Sequence, residues 1–206
     1  MPSNGNLTCV TGGSNQYAPV PASFGLTSGK WYWEITVTAT SSARIDTGVI
    51  DDTFEIYNGS ARYNPGIDSK SYAYTSLGTK YNNNTDTSYG ATYGTNDVIG
   101  IALDLDNGKA WWGINGTVMD SGSGTGVPNS GTNPHFTFTV GDEFYIPGVS
   151  LFGFNGAPEC QANFGEGTFG GTAVSSAVSD NNGHGSFEYS PLDGFYSICT
   201  RNIREF

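Results

Sequence analysis

Asp97-Val98-Ile99-Gly100-Ile101-Ala102-Leu103-Asp104-Leu105, then Asp106-Asn107-Gly108, then Lys109-Ala110-Trp111-Trp112-Gly113-Ile114 and Asn115-Gly116: this stretch decides the fold. Outbound, Ile101, Leu103 and Leu105 alternate with smaller or polar neighbours, and Ala110, Trp112 and Ile114 do so on the return. A period of two is the mark of a half-buried strand. Asn-Gly supplies the positive backbone φ angles that a two-residue hairpin turn requires. The reading is a β-hairpin with a tight turn at Asp106-Asn107-Gly108 and a second turn at Asn115-Gly116. It places Trp112 in the core and Trp111 on the opposite face.

Strands continue on both sides. In Trp31-Tyr32-Trp33-Glu34-Ile35-Thr36-Val37-Thr38 the residues Trp31, Trp33, Ile35 and Val37 point one way, and Tyr32, Glu34, Thr36 and Thr38 the other. Asp46 to Ile50 is a strand ending in the acidic pair Asp51-Asp52. A polar stretch from Thr53 to Ser69 follows, carrying Phe54, Ile56, Tyr57 and Tyr63 as its large apolar groups. Ser71 to Thr75 is the next strand, and Gly78 turns it back into Thr79-Lys80-Tyr81. Downstream, Phe136 to Val140 alternates cleanly, and Glu143 to Val149 and Cys160 to Phe164 are later strands. Ser121 to Pro134 and Ser175 to Gly185 are loops without a hydrophobic period. Short strands at close spacing with no helical period mean a sandwich or barrel. Tyr72, Tyr74, Trp33 and Trp112 are assigned to the core.

Composition agrees. Glycine accounts for 30 of 206 residues, aromatics for 14% and charged residues for only 13%. A disordered acidic chain would show the reverse balance of charge and aromatics. Eight Lys plus Arg against nineteen Asp plus Glu give a net charge of −11. The cations are scattered singly, whereas phosphate neutralisation needs them clustered. Nucleic acid is therefore excluded as a partner. No apolar run approaches the ~18–20 residues of a spanning helix, so membrane insertion is not expected. The opening residues lack the basic and apolar regions of a signal peptide. Three cysteines, Cys9, Cys160 and Cys199, have no CxxC spacing, and an odd count argues against a disulfide framework. Buried free thiols are the expectation, although two on adjacent strands could be bridged.

The order of these blocks resembles the SPRY domain, a bent antiparallel β-sandwich of jelly-roll type. Gly29-Lys30-Trp31-Tyr32-Trp33-Glu34-Ile35 is similar to the opening strand of that family. Gly48-Val49 and Ser71-Tyr72-Ala73-Tyr74 match its next blocks, Asn96 to Gly108 its most diagnostic one, and Asn163-Phe164-Gly165 its closing strand. The chain is read as a single all-β domain over 1–206, with a core at about 28–170 and a C-terminal extension at 171–206. The extension's segment Pro191 to Ile203 resembles the end of SPRY-type segments in bacteriophage virion proteins. The family implies binding of a protein or peptide through loops at one end of the sandwich, and no catalysis.

The residues themselves argue against an enzyme. Two histidines, His135 and His184, both lie in Gly/Asn/Pro-rich loops, and a Ser-His-Asp or Cys-His arrangement would need one of them as base. Gly165-Glu166-Gly167-Thr168-Phe169-Gly170 fits Gly-x-Gly-x-x-Gly, but Glu166 would place negative charge beside a phosphate and no helix follows. A glycine-rich bend is the better reading. Asp104-x-Asp106-Asn107-Gly108 lacks the Gly and Glu positions of a calcium loop. Asp180-Asn181-Asn182-Gly183 offers oxygens for a weak surface ion, against a default of a solvated turn. No cofactor, catalytic or metal residue is assigned.

Loop aromatics are the stronger lead, because Tyr and Trp give large rigid contact area at low entropy cost. The candidate binding residues are Phe54, Tyr57, Tyr63 and Trp111, with Asp51, Asp52 and Arg62 as polar neighbours. The alternative is that Phe54 and Tyr57 merely pin a long loop onto the sandwich. The expected function is a non-enzymatic surface module of a phage virion, in a tail fibre or capsid appendage, made in the host cytoplasm. Its partners would be a host-surface protein or glycan, or other virion proteins, and as a fibre module it would form a homotrimer or need flanking chain to assemble. Two rivals stand beside it: a cellular peptide-binding adaptor, and a glycan-degrading appendage using a carboxylate pair drawn from Asp46, Asp51, Asp52 and Glu55.

Overall fold

The computed structural model describes residues 3–5, 7–12, 14–40, 44–58, 61–62, 64–119, 124–154 and 156–204, with the backbone alone at 14, 58, 61, 62 and 154. In chain order the strands are β1 (Thr8–Val10), β2 (Ser14–Pro21), β3 (Lys30–Ala39), β4 (Arg44–Asp51), β5 (Tyr57–Asn58), β6 (Ala61–Arg62), β7 (Tyr72–Thr75), β8 (Thr79–Asn82) and β9 (Thr85–Ser88). They continue with β10 (Val98–Asp104), β11 (Lys109–Ile114), β12 (Thr117–Val118), β13 (Phe136–Thr137), β14 (Tyr145–Phe154), β15 (Glu159–Asn163), β16 (Thr168–Phe169), β17 (Thr172–Ala173) and β18 (Tyr196–Ser197).

Two sheets stack into an all-β sandwich. The first runs β1-β15-β3-β10-β11-β12, with β13 beside β11, and the second runs β2-β14-β4-β7-β8-β9. Both ladders are antiparallel along these orders. The exception is β18, which pairs in parallel with the start of β3, Tyr196 opposite Trp31 and Ser197 opposite Tyr32. It takes up the edge of β3 at Trp31 and Tyr32, beyond the last pairing of β15, Asn163 with Glu34.

The period-two alternation sorts the side chains. Trp31, Trp33, Ile35 and Val37 meet Ile99, Ile101 and Leu103 on the inner face of the first sheet, against Ile45, Val49, Tyr74, Val149 and Leu151 of the second. Trp112 joins this core and ties the sheets together, its indole Nε1 donating to the Thr47 carbonyl at 3.1 Å. The opposite faces are also covered. Tyr32, Ala102 and Trp111 pack under Phe187 and Phe195 of the C-terminal extension, with Leu192 and Val118 at the margin. On the second sheet, Asn64 to Gly66 lie over β4, where Asn64 Nδ2 donates to the buried Asp46 at 2.5 Å. A Cβ at Gly48 would stand 2.9 Å from Pro65.

Several local expectations change. Asp104 pairs with Lys109, so the first turn is a four-residue loop, and within it Gly108 alone has positive φ. The Asp104 carboxylate accepts the Asn107 backbone N–H at 3.0 Å and faces Lys30 at 3.1 Å, which accounts for its oxygens without a metal. Asn115-Gly116 is the true two-residue turn, with φ of 51° and 79° between the partners Ile114 and Thr117. The alternating run Phe136 to Val140 contributes just two ladder residues, Phe136 and Thr137.

The Asp180 turn is not solvated. Asp180 is buried, and its Oδ2 accepts the Ser197 backbone N–H, the Ser197 hydroxyl and Asn202 Nδ2 at 2.8–2.9 Å. Its Oδ1 accepts the backbone N–H groups of Asn182 and His184. The carboxylate thus clips the chain end to the sandwich, and these donors hold it below the usual carboxylate range although burial pushes the other way.

Candidate functional site

Strand direction gathers one set of loops at one end of the sandwich. β4 ends there at Asp51, β7 and β14 begin there at Tyr72 and Tyr145, and β8 ends there at Asn82. The segments after Asp51, before Tyr72 and before Tyr145 therefore share that end. Asp51 is buried, and its Oδ1 accepts the backbone N–H and hydroxyl of Thr53 at 2.9 and 2.7 Å. Its Oδ2 lies 3.4 Å from Lys70 Nζ, which also reaches Glu143 Oε1 at 2.9 Å. Lys70 thus bridges the 51–70 loop and the 138–145 loop.

Aromatic packing supports the bridge from below. Tyr72 stacks on Phe138 with ring centroids 4.9 Å apart, and Phe138 meets Tyr145 at 5.3 Å. Tyr145 exchanges both backbone hydrogen bonds with Leu26. Two clefts open on this base. One, of about 260 Å³, runs between Asp51, Lys70, Tyr72 and Glu143. The other, of about 550 Å³, is walled by Thr53, Glu55, Ile67, Asp68 and Asn84. Thr53 belongs to the second cleft and bonds to Asp51 of the first, so the two are neighbours.

The groups that shift here shift away from neutrality. The Glu143 carboxylate raises Lys70, Lys70 lowers Glu143, and burial pushes Tyr72 up to about 12. Such groups suit ion pairing and hydrogen bonding, since an acid–base catalyst works best near the operating pH. Asp46 is pushed up to about 6 by burial, but it lies sealed under Asn64 and paired with Arg44 Nε at 2.7 Å. The four carboxylates of the glycan-degrading rival therefore do not converge: Asp46 faces outward under a loop, Asp51 is bound to Thr53 and Lys70, and Glu55 lines the larger cleft.

His135 has both ring nitrogens committed. Nδ1 accepts the Trp112 backbone N–H at 2.7 Å and Nε2 pairs with the Met119 carbonyl at 3.1 Å. This fixes a neutral ring, and burial lowers its pKa to about 4. Among the described residues no group of three or more His, Cys, Asp and Glu side chains gathers to hold a metal ion. No helix among them is long and apolar enough to cross a membrane.

The candidate residues fare differently. Asp52 is exposed, Phe54 is half-buried, and Tyr57 is 62% exposed, so Tyr57 does not pin its loop. Arg62 pairs through its backbone with Tyr57 in the β5–β6 hairpin, its side chain lying outside the described atoms. Tyr63 lies outside the described residues. Trp111 is not part of this cluster: it is 1% exposed, edge-on to Phe195, with Nε1 donating to the Thr132 carbonyl. It faces away from the core, as the alternation requires, but the C-terminal extension covers it. Sequence reasoning passed over Lys70, Glu143 and Phe144. The signal for Lys70 was available, as it is the one cation in 51–58, 64–71 and 138–145, beside Asp51, Asp52, Glu55, Asp68, Asp142 and Glu143.

The family model for the SPRY domain matches residues 30–166. Among solved structures, the crystal structure of the SPRY domain of human HERC1 is similar in fold, with a TM-score of 0.60 at 19% sequence identity. The match covers 79% of this chain and 90% of that one.

Proposed function

The chain belongs to the SPRY domain family, generally a family of protein-binding modules, and from that premise we propose that it binds a protein partner through the loop end built around Asp51, Lys70 and Glu143. One observation carries this reading: Tyr32, Ala102 and Trp111 of the first sheet lie under Phe187 and Phe195 and Asp46 of the second under Asn64, while three of the six exposed large hydrophobics among the described residues, Ile56, Tyr57 and Phe144, fall in 51–58 and 138–145 at 39%, 62% and 49% exposure. Exposed aromatics beside clefts and charges are the composition of a recognition surface. Six acidic groups against Lys70 and Arg62 over 51–71 and 138–145 favour a partner segment carrying Lys or Arg, by charge complementarity.

The test is selection from a random peptide library on the immobilised chain, with a glycan array run on the same preparation. Selected peptides should be rich in Lys and Arg and should lose at least tenfold in affinity on Tyr57→Ser or Phe144→Ser. Leu77→Ser, at the opposite end of the sandwich, should leave binding unchanged. Peptides indifferent to both loop-end variants would overturn the reading, and glycan binding alone would replace a protein partner by a sugar.

The finer reading places this module on a phage virion, in a tail fibre or capsid appendage. It draws on the resemblance of Pro191 to Ile203 to the ends of virion SPRY-type segments and on the acidic, glycine-rich composition. Light scattering tests it: a trimer supports a fibre module, and a monomer favours the adaptor reading.

A further inference from the structure

We infer that Cys9 and Cys160 are a built oxidation site, a pair of thiols that closes to a disulfide in an oxidising compartment and clamps the edge strand β1 to the sandwich. The two residues face each other in register across β1 and β15. Two pairs to either side, Ala162 N–H donates to the Leu7 carbonyl at 2.8 Å and Thr11 N–H donates to the Pro158 carbonyl at 3.3 Å. Antiparallel pairs alternate, so Cys9 and Cys160 occupy a hydrogen-bonded position, where Cα atoms stand about 5.5 Å apart. That spacing lies in the middle of the range a disulfide spans. Both residues are buried and reduced, and their thiols share a hydrogen bond. Within this bond Cys160 favours the thiolate of Cys9 and its own thiol is held protonated. Cys9 is also the member with an approach, since it lines a small cleft with Pro21, Ala22 and Phe164 at the open edge of the sandwich.

The chemistry is thiol–disulfide exchange with a small disulfide such as oxidised glutathione. The Cys9 thiolate attacks one sulfur of the reagent, forming a mixed disulfide and expelling one glutathione thiolate. Cys160, giving up its proton, then attacks the Cys9 sulfur and expels the second. Two protein thiols are oxidised, one disulfide is reduced, and the two protons pass to the two glutathiones. The structural consequence follows from topology. β1 is three residues long at the end of its sheet, with β15 as its neighbour there. The bridge would close most of the chain into one loop, which constrains the unfolded state strongly. Cys199 takes no part: it follows β18 at the Trp31–Tyr32 end of the β3 edge, whereas Cys160 pairs with Val37, and the Ser197 hydroxyl donates to the Cys199 sulfur at 3.6 Å.

The experiment treats the full chain, native and Cys199→Ser, with oxidised glutathione under non-denaturing conditions, followed by alkylation, intact mass and a non-reducing peptide map. The expected product has lost two hydrogens, joins the Cys9 and Cys160 peptides, leaves Cys199 alkylated in the native sequence, and melts higher by about 5–15 °C until reduced. A mixture of pairings including Cys199, glutathione adducts without a cross-link, or a bridged product melting no higher than the reduced chain would overturn the inference. The unvaried chain gives the same reading if Cys199→Ser folds poorly.

Discussion

The Glu34 carboxylate accepts the backbone N–H of Tyr189 at 2.8 Å, joining residues 155 positions apart. Its other oxygen accepts the Glu188 N–H at 2.9 Å, and buried Tyr32 and Asn163 complete the shell around the buried carboxylate. A charge is thus spent on fixing backbone that belongs to no strand. Removing the carboxylate leaves buried donors unmet, and each such group costs about 1–3 kcal/mol. Glu34→Ala is therefore expected to destabilise the fold by about 3 kcal/mol or more, with Glu34→Gln losing less because one carbonyl still accepts. Loosening of this segment should uncover Trp111 and red-shift its fluorescence; equal melting of both variants with the native chain would contradict the assignment.

Two buried titrating groups oppose each other in acid. The His135 pKa falls from 6.5 to about 4, so the unfolded chain binds its proton first and stability is lost as pH drops through that window, by about 3 kcal/mol. Asp46 moves the other way, from 3.8 to about 6, so the folded chain holds its proton first and stability is gained as pH falls from about 6 to 4. The native profile between these limits should be nearly flat from this pair. His135→Gln should gain stability on acidification relative to the native chain, and Asp46→Asn should lose it. Denaturant unfolding at a series of pH values reads both slopes, and parallel curves for all three proteins would refute the pairing.

Close packing over β4 predicts the cost of one methyl group. A Cβ at Gly48 would press on Pro65 Cβ at 2.9 Å and on the Tyr72 carbonyl, which is backbone and cannot swing aside. Gly48→Ala is expected to cost about 1–3 kcal/mol, the usual range for overpacking. The same change at Gly12, where nothing lies within 4 Å, should be near neutral. Equal effects at the two sites would show that the 64–66 segment does not sit on β4.

What was legible in the chain was periodic. Ile101, Leu103, Trp112 and the Trp31 to Val37 set alternate, so their strands and facing could be read directly, including the outward direction of Trp111. β2 carries Pro19 and Pro21 and no alternation, yet it pairs with β14, which a sheet-edge strand allows because proline need not donate on its open side. The covering of Trp111 by Phe195 and the clip of Asp180 on Ser197 join residues distant in sequence by ladder and tertiary contacts, which leave no local pattern. At the candidate site the aromatics and acids of the 51–63 loop were visible as composition. The bridge from Asp51 through Lys70 to Glu143 was not, because it spans three segments that meet only when β14, β4 and β7 pair side by side in the second sheet.

The central claim is that recognition happens at the loop end and not on the covered faces. Hydrogen–deuterium exchange on the chain with and without a peptide selected from the random library measures this directly. Protection confined to 51–58, 64–71 and 138–145 is the predicted result. Protection of 186–197 and β11, with the loop end unchanged, would contradict the account and move the binding surface to the outer face of the first sheet.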